Sequence, residues 1–210
     1  QWRRYQQRVL DSCKTYMADG HIHLVAAPGS GKTTLGIEFI KQFGQPTLVL
    51  APTVTIRQQW VDRITTAFLA NPLHAEQLIS QDLKNPKLIT IATYQALHSA
   101  MIQLKGESRA EDTDDQAEIE HFDYQGFDVV ATFKEHALGT LCLDECHHLR
   151  NEWWKSLEAF RNSFTSIHMI SLTATPPYDD DPALWKRYIT MCGQIDEEIT
   201  VPELVKENSL

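Results

Sequence analysis

The sequence predicts an α/β fold, with a mostly parallel sheet that carries helices on both faces. Short apolar runs recur along the 210 residues and alternate with longer segments of helical periodicity. The first apolar run leads directly into a glycine-rich loop and a helix, as in a strand-loop-helix unit of a parallel sheet. An apolar content of 42% is enough for one large domain with a hydrophobic core.

The N-terminal segment, residues 2–20, predicts an amphipathic helix. Its apolar and aromatic positions recur at steps of three and four residues: Tyr5, Val9, Cys13 and Tyr16. The segment is either a plain helix packed on the domain or, through Gln6, part of a base-binding site. A carboxamide has both a donor and an acceptor, which match the N6 and N7 groups of adenine.

The glycine-rich loop, residues 26–33, follows the strand-like run 22–26 and precedes a helix that begins near Lys32. Gly29 and Gly31 lack a Cβ, so the backbone can turn successive N–H groups onto phosphate oxygens. Lys32 would reach the β- and γ-phosphates, and the Thr33 hydroxyl would complete a Mg²⁺ shell. The loop therefore predicts a nucleoside triphosphate site, but it leaves kinase, GTPase, transporter and motor open.

Two further strand-to-helix connections follow, with strands at residues 46–53 and 88–93. Each strand ends in a threonine, Thr53 or Thr93, at the start of a predicted helix. Taken singly, each threonine is interpreted as an N-cap. The alternative is that these hydroxyls and the free N–H groups at the helix starts contact the phosphates of a nucleic acid.

The net charge of −9 is concentrated in one segment. Residues 107–123 hold eight acids and one base, so they carry −7 and leave −2 for the rest of the chain. The surrounding residues 105–125 are polar, which predicts an acidic insertion or loop. The overall charge therefore neither supports nor excludes a nucleic-acid partner.

A short apolar run ends in the carboxylates Asp144 and Glu145. A buried strand end with two acids is costly unless the charges meet cations or water. Together with the glycine-rich loop, Asp144 would hold Mg²⁺ through water, and Glu145 would orient or deprotonate the attacking water. A zinc site is the weaker alternative, because no second ligand pair has zinc-finger spacing. Its ligands would be Cys142, Cys146, His147 and His148.

The segment after these acids predicts a helix at residues 152–160, whose aromatic stripe is assigned to the core. A strand at 166–175 then ends in hydroxyl residues. Thr173 and Thr175 either transmit the state of the phosphate site or cap a turn before two prolines. A helix at 181–191 and a short tail complete the chain.

The sequence contains no apolar run long enough to span a bilayer and no signal segment at its start. Its cysteines form no CxxC pair and no disulfide framework. These features predict a soluble protein in the cytoplasm.

Six stretches, in this order, resemble the first RecA-like domain of superfamily-two DExH helicases and translocases. The similarity is greatest to restriction-enzyme motor subunits and excision-repair helicases, and it extends from Trp2 to Thr175. The stretches are residues 2–6, residues 26–33, Leu50-Ala51-Pro52-Thr53, Ile91-Ala92-Thr93-Tyr94-Gln95, Asp144-Glu145-Cys146-His147 and Leu172-Thr173-Ala174-Thr175.

The resemblance implies ATP and Mg²⁺ as cofactors. Gln6 is similar to the adenine-reading glutamine of the family, and the glycine-rich loop is similar to its phosphate cradle. The implied nucleotide-binding residues are Gln6, Pro28, Gly29, Ser30, Gly31, Lys32, Thr33 and Thr34, with Thr33 and Asp144 at the metal. The implied catalytic residues are Lys32, Asp144, Glu145 and His147.

The resemblance also implies a nucleic-acid partner, with DNA favoured. Thr53 and Thr93 resemble contacts to the nucleic-acid backbone, and Arg57 is a further candidate. His147 is similar to the histidine that couples the nucleotide site to Thr173 and Thr175.

The family places ATP between two RecA-like domains, and only about thirty residues follow Pro177 here. The resemblance therefore implies a second domain outside this chain, with residues 193–210 as the exit toward it. The chain alone is expected to bind ATP weakly and to hydrolyse it negligibly, since an arginine finger would be missing. The alternatives are a nucleotide-binding switch and a non-motor enzyme such as a small-molecule kinase.

Overall fold

The fold is described from a computed structural model, which covers residues 2–104, 122–178 and 181–206. Most of the acidic insertion predicted at 105–125, namely residues 105–121, lies outside this range. The strands are β1 (His21–Ala26), β2 (Thr47–Ala51), β3 (Ile79–Ser80), β4 (Ile89–Thr93), β5 (Thr140–Asp144), β6 (His168–Thr173) and β7 (Glu197–Ile199). The α-helices are α1 (Arg4–Tyr16), α2 (Lys32–Phe43), α3 (Val54–Ala67), α4 (Ala75–Leu78), α5 (Tyr94–Leu104), α6 (Val129–Glu135), α7 (Asn151–Asn162), α8 (Pro182–Cys192) and α9 (Val201–Lys206). Short 3₁₀ turns occur at Met17–Asp19, Pro72–His74 and Cys146–His148.

The chain divides into two compact units. The first unit contains the described residues of Gln1–Gln45, Thr140–His148 and His168–Leu210, and the second contains those of Pro46–Gly139 and Leu149–Ile167. Each unit contains its own parallel strands and helices.

In the first unit the strands are arranged in the order β5-β6-β1-β7, and each neighbouring pair is parallel. Strands β1, β5 and β6 are almost continuously buried, as expected where both faces of a parallel sheet are covered. Their register aligns Leu172 with Leu24 on one side and with Asp144 on the other. Because parallel strands end at one edge, β1 and β5 deliver the glycine-rich loop and the acidic pair to the same edge of this unit.

In the second unit β4 lies between β2 and β3, and both pairs are parallel. Trp60 of α3 is fully buried, and Phe133 of α6 meets Phe160 of α7 edge to face with ring centroids 5.9 Å apart. Phe160 and Trp154 are buried, so the prediction that the aromatic stripe of α7 is largely core is confirmed.

These features confirm the predicted α/β class with parallel strands. The sequence analysis did not predict β3, α4, β7 or α9. Strand β7 has the sequence Glu197-Glu198-Ile199, in which only Ile199 is buried, so its pattern gives no strand signal. Its pairing with β1 is a tertiary contact. No helix among the described residues combines the length and the apolar character needed to cross a membrane.

Candidate nucleotide-binding site

The glycine-rich loop connects β1 to α2 through a backbone that requires glycine. Gly29 and Gly31 have φ angles of 83° and 85°, in the left-handed region. A Cβ built on Gly31 would lie 2.6 Å from Nε2 of Gln6, so a side chain would be both strained and blocked. The loop therefore has the tight, side-chain-free form of a phosphate cradle at a helix N-terminus.

The start of α1 is fastened to this loop. Tyr5 Oη and Gln6 Nε2 both donate to the carbonyl of Ser30, at 3.0 and 3.1 Å. Arg3 Nη1 donates to Tyr5 Oη at 2.8 Å and to the Gly29 carbonyl at 3.4 Å. Residues 2–6, which the sequence analysis assigned to the family pattern, thus hold the glycine-rich loop in place through hydrogen bonds.

Gln6 uses half of its hydrogen-bonding groups in these contacts. Its Oε1 accepts from the backbone N–H of Arg3 at 3.1 Å, and the side chain is only 8% exposed. A carboxamide has two N–H donors and two acceptor lone pairs. In the contacts among the described residues, one donor and one lone pair are therefore left over for a base.

Glu145 lies at the centre of the polar contacts of the site. Its Oε1 forms an ion pair with Nζ of Lys32, and its Oε2 accepts from Oγ1 of Thr173 at 2.9 Å. The backbone N–H of Ala174 lies 3.1 Å from both carboxylate oxygens. Burial would raise the pKa of Glu145, but Lys32, Ala174 and Thr173 together bring it below its ordinary value. Glu145 is consequently held as a carboxylate.

The backbone at Glu145 is also unusual, with a φ of 50°. A non-glycine residue in the left-handed region costs roughly 1–2 kcal/mol. Its N–H donates to the carbonyl of Leu172 at 2.9 Å, which extends the β5–β6 ladder by one residue. The turn aims the side chain at Lys32, and such outliers are found at functional sites.

Asp144 is the last residue of β5 and is 5% exposed. Thr33 is the second residue of α2 in the same unit. A carboxylate and a hydroxyl are hard oxygen donors of the kind that Mg²⁺ takes, with water and phosphate oxygens filling the other positions. The donor chemistry and the open cradle therefore fit a magnesium nucleotide.

His147 links Glu145 to the end of β6. Its Nδ1 lies 2.8 Å from Oγ1 of Thr173, and its Nε2 lies 3.0 Å from Oγ1 of Thr175. The single proton of the Thr173 hydroxyl is directed at Glu145, so Nδ1 of His147 must be the donor to Thr173. This places the predicted coupling residues in one continuous hydrogen-bonded chain.

The other candidates, Thr53, Arg57 and Thr93, lie in the second unit. Thr53 Oγ1 accepts from the N–H of Ile56 at 3.2 Å, and Thr93 Oγ1 accepts from the N–H of Ala96 at 3.1 Å. The N-cap interpretation is therefore confirmed for both threonines. Thr53 is exposed, whereas Thr93 is buried.

The zinc alternative gains no support from the structure. Cys142 is buried in β5, and Sγ of Cys146 lies 3.4 Å from Sγ of Cys192. In the part of the chain that is described, no three His, Cys, Asp or Glu side chains are grouped so as to hold a metal ion.

Two contributions to the site were missed by sequence reasoning. The N–H of Ala174 donates to Glu145, and the Ser30 carbonyl accepts from Tyr5 and Gln6. Backbone groups have no signature in residue types, although the small residues at 173–175 signalled that a close backbone approach was possible.

Comparison with known proteins identifies relatives of this chain. The DNA 3′–5′ translocase XPB2 of Sulfurisphaera tokodaii is 24% identical over 194 residues, which cover 92% of this chain and 35% of that protein. The Rad25 protein of Halobacterium salinarum is 29% identical over 182 residues, or 85% of this chain and 24% of that protein. The helicase domain of Pyrococcus furiosus Hef superimposes with a TM-score of 0.60 at 18% identity, covering 98% of this chain and 39% of that one. The chain thus spans about a quarter to a third of the length of the two relatives.

Fold, site and comparisons together define the first RecA-like ATPase domain of a superfamily-two helicase or translocase, a class that uses ATP. Residues 1–178 match the family described as type III restriction enzyme, res subunit, and the chain belongs to that family. The alternatives of a switch or a non-motor enzyme are not favoured.

Proposed function

We propose that the full-length protein carrying this chain is a DNA-dependent ATPase that translocates on or unwinds DNA. The contact that carries the proposal is the Lys32–Glu145–Thr173 chain, because it connects the phosphate loop to a carboxylate and to the hydroxyls at the end of β6. The relative named as a DNA translocase supports DNA as the substrate.

The residues of the first unit divide the work on ATP. Gln6 reads adenine with its remaining donor and lone pair, and residues 28–34 hold the phosphates. Lys32 exchanges its ion pair with Glu145 for the β- and γ-phosphates. Glu145, released from Lys32, orients and deprotonates the attacking water. Magnesium, held by Thr33 and Asp144 when bound, neutralises phosphate charge.

His147, Thr173 and Thr175 couple this site to nucleic acid, and Thr53, Arg57 and Thr93 contact the nucleic-acid backbone. The exposed position of Thr53 at the start of α3 supports this assignment, because N–H groups at a helix start can bind phosphate. Backbone contacts of this kind are independent of base sequence, as a translocase requires.

We further propose that residues 1–210 form one N-terminal RecA-like domain, with 105–125 as an acidic insertion and 193–210 as the exit toward a second RecA-like domain. The chain's share of its relatives' length supports this arrangement. The second domain would supply an arginine finger, so the isolated chain would bind ATP weakly and turn over negligibly. A cytoplasmic location is proposed from the four free cysteines.

The decisive experiment measures ATP hydrolysis by the full-length protein with and without duplex DNA, in the wild type and in Glu145→Gln. DNA should stimulate the wild type, and the variant should lose roughly 10²–10⁴-fold in rate while still binding a fluorescent ATP analogue. No stimulation by any nucleic acid, with ATP still bound, would reject the motor. Steady DNA-stimulated turnover by residues 1–210 alone would reject the need for a second domain.

A further inference from the structure

A buried group of polar side chains extends from the residue after Glu145 to the interior of β1, and the nucleotide site does not use it. Sγ of Cys146 lies 3.4 Å from Sγ of Cys192, the last residue of α8. One turn earlier in α8, Oη of Tyr188 lies 2.7 Å from Nε2 of His23. The His23 ring continues the chain, with Nδ1 2.9 Å from the carbonyl of Gly193.

The acceptor groups determine which atoms donate in the hydrogen bonds of His23. The Gly193 carbonyl can only accept, so His23 donates from Nδ1, and Nε2 of the neutral ring accepts from the Tyr188 hydroxyl. Burial lowers the pKa of His23 and raises that of Tyr188, which keeps both groups neutral. Cys192 follows Tyr188 by one helical turn, and both side chains are buried. The sulfur of Cys192 is in contact with the Cys146 thiol.

We propose that Cys146 and Cys192 form a redox modification site, in which a two-electron oxidant joins the two thiols as a disulfide. The sulfurs are already in contact, and a disulfide requires an approach of roughly 1.4 Å, to a bond of about 2.0 Å. The other two cysteines serve as internal references. Cys13 has the thioether of Met17 at 3.2 Å instead of a thiol, and Cys142 is buried within β5.

The reaction balances with an azo compound such as diamide as the oxidant. Each thiol loses one hydrogen, one S–S bond forms, and the N=N bond becomes HN–NH, so that the two electrons and two protons end on the nitrogens. Cys146 is 2% exposed and Cys192 is 0% exposed, so the oxidant reaches them when α8 opens locally. Residues 182–184 at the start of α8 are exposed, whereas Cys192 is its last residue, so the opening must extend to the buried last turn.

The cross-link changes the nucleotide site because Cys146 directly follows Glu145. Drawing Cys146 toward α8 pulls on the left-handed turn at Glu145, which holds the carboxylate against Lys32 and Ala174. Shifts of about 1 Å matter at such sites. This effect on nucleotide binding depends on the proposed function, whereas formation of the cross-link depends on the thiol geometry alone.

The test treats the folded chain with diamide and maps disulfides by mass spectrometry of unreduced peptides. The wild type and Cys13→Ser should give one intramolecular link between Cys146 and Cys192, which dithiothreitol reverses, and Cys192→Ser should not give it. A link formed in the native state closes a 46-residue loop and should raise the melting temperature by about 5–10 °C. Oxidation should weaken the affinity of the wild type for a fluorescent ATP analogue with Mg²⁺ at least threefold. The same treatment should leave the affinity of Cys192→Ser unchanged.

Links that involve Cys13 or Cys142, links between molecules, or a link with no thermal stabilisation would overturn the site. A stabilising link with unchanged nucleotide affinity would overturn its coupling to Glu145. Failure of the nucleotide site is a separate result, since the reduced wild type would then not bind the analogue at all. Failure of the motor function is measured independently, by the DNA-stimulated ATPase assay on the full-length protein.

Discussion

The two compact units hold their candidate functional residues in different ways. In the first unit these residues bind one another: Lys32, Thr173 and the N–H of Ala174 all bind Glu145, and His147 binds Thr173. In the second unit the hydroxyls of Thr53 and Thr93 each accept a hydrogen bond from an N–H in the first turn of the helix that follows. A substitution in the first unit should therefore spread through a network, while one in the second unit should act on a single helix start.

The largest contrast is expected between two glycines that both have positive φ. Gly31→Ala in the first unit meets Gln6 at 2.6 Å, whereas Gly126→Ala in the second unit, with a φ of 71°, meets nothing within 4 Å. We expect Gly31→Ala to lower the free energy of unfolding by about 2–3 kcal/mol and to abolish measurable nucleotide binding. Gly126→Ala should cost only about 1–2 kcal/mol, from backbone strain.

Urea unfolding and titration of a fluorescent ATP analogue measure both effects. Equal losses of stability in the two variants would show that the Gln6 contact adds nothing to the strain. Unimpaired nucleotide binding by Gly31→Ala would argue against the phosphate cradle.

Thr173→Val should have the next largest effect, because it removes the hydroxyl that joins His147 to Glu145. The change removes the hydrogen bonds of the hydroxyl to Glu145 and His147, at a cost of about 1–3 kcal/mol in unfolding free energy. ATP hydrolysis by the full-length protein should fall by roughly 10–100-fold, with little change in nucleotide affinity, since the phosphate loop is untouched. Thr173→Ser keeps the hydroxyl and should restore most of the rate. Equal rates for the valine and serine variants would exclude the hydroxyl from the coupling.

Thr53→Asp separates the cap of α3 from a contact to nucleic acid. Aspartate caps helices as well as threonine does, so the melting temperature should hold, while its charge repels phosphate. Affinity for DNA at low salt should drop by roughly 3–10-fold, because one backbone contact becomes repulsive. Thr53→Ser is the matched control and should leave both quantities unchanged. Unchanged affinity of the aspartate variant would remove Thr53 from the interface.

The smallest effect is a dependence of stability on pH in the first unit. The pKa of Glu145 is lowered in the folded state, so the ion pair contributes stability above the unfolded carboxyl pKa of about 4.3. That contribution should be lost as the pH falls through the lower folded value. The urea midpoint of the wild type should therefore approach that of Glu145→Gln below about pH 4. A constant difference down to pH 3 would mean that the ion pair does not stabilise the fold.

The sequence by itself determined the class of fold and most of the candidate residues. Apolar runs ending in Gly, Thr or Asp-Glu are local signals, because a strand end, a helix N-terminus and a phosphate loop each constrain only a few neighbouring positions. The helix caps at Thr53 and Thr93 could be predicted from the sequence for the same reason. Six such stretches in one order then sufficed to indicate the family.

Only the tertiary structure decided which groups meet. Pairing of β7 with β1, the donation of Ala174 to Glu145 and the contact of Cys146 with Cys192 each join segments at least 29 residues apart. Such contacts depend on the register of the sheet and the seating of α8, which residue types do not encode locally. The hydrogen bond from Gln6 to a backbone carbonyl of the loop could not be predicted for the same reason. Every residue has a carbonyl acceptor, and only folding determines which one is used.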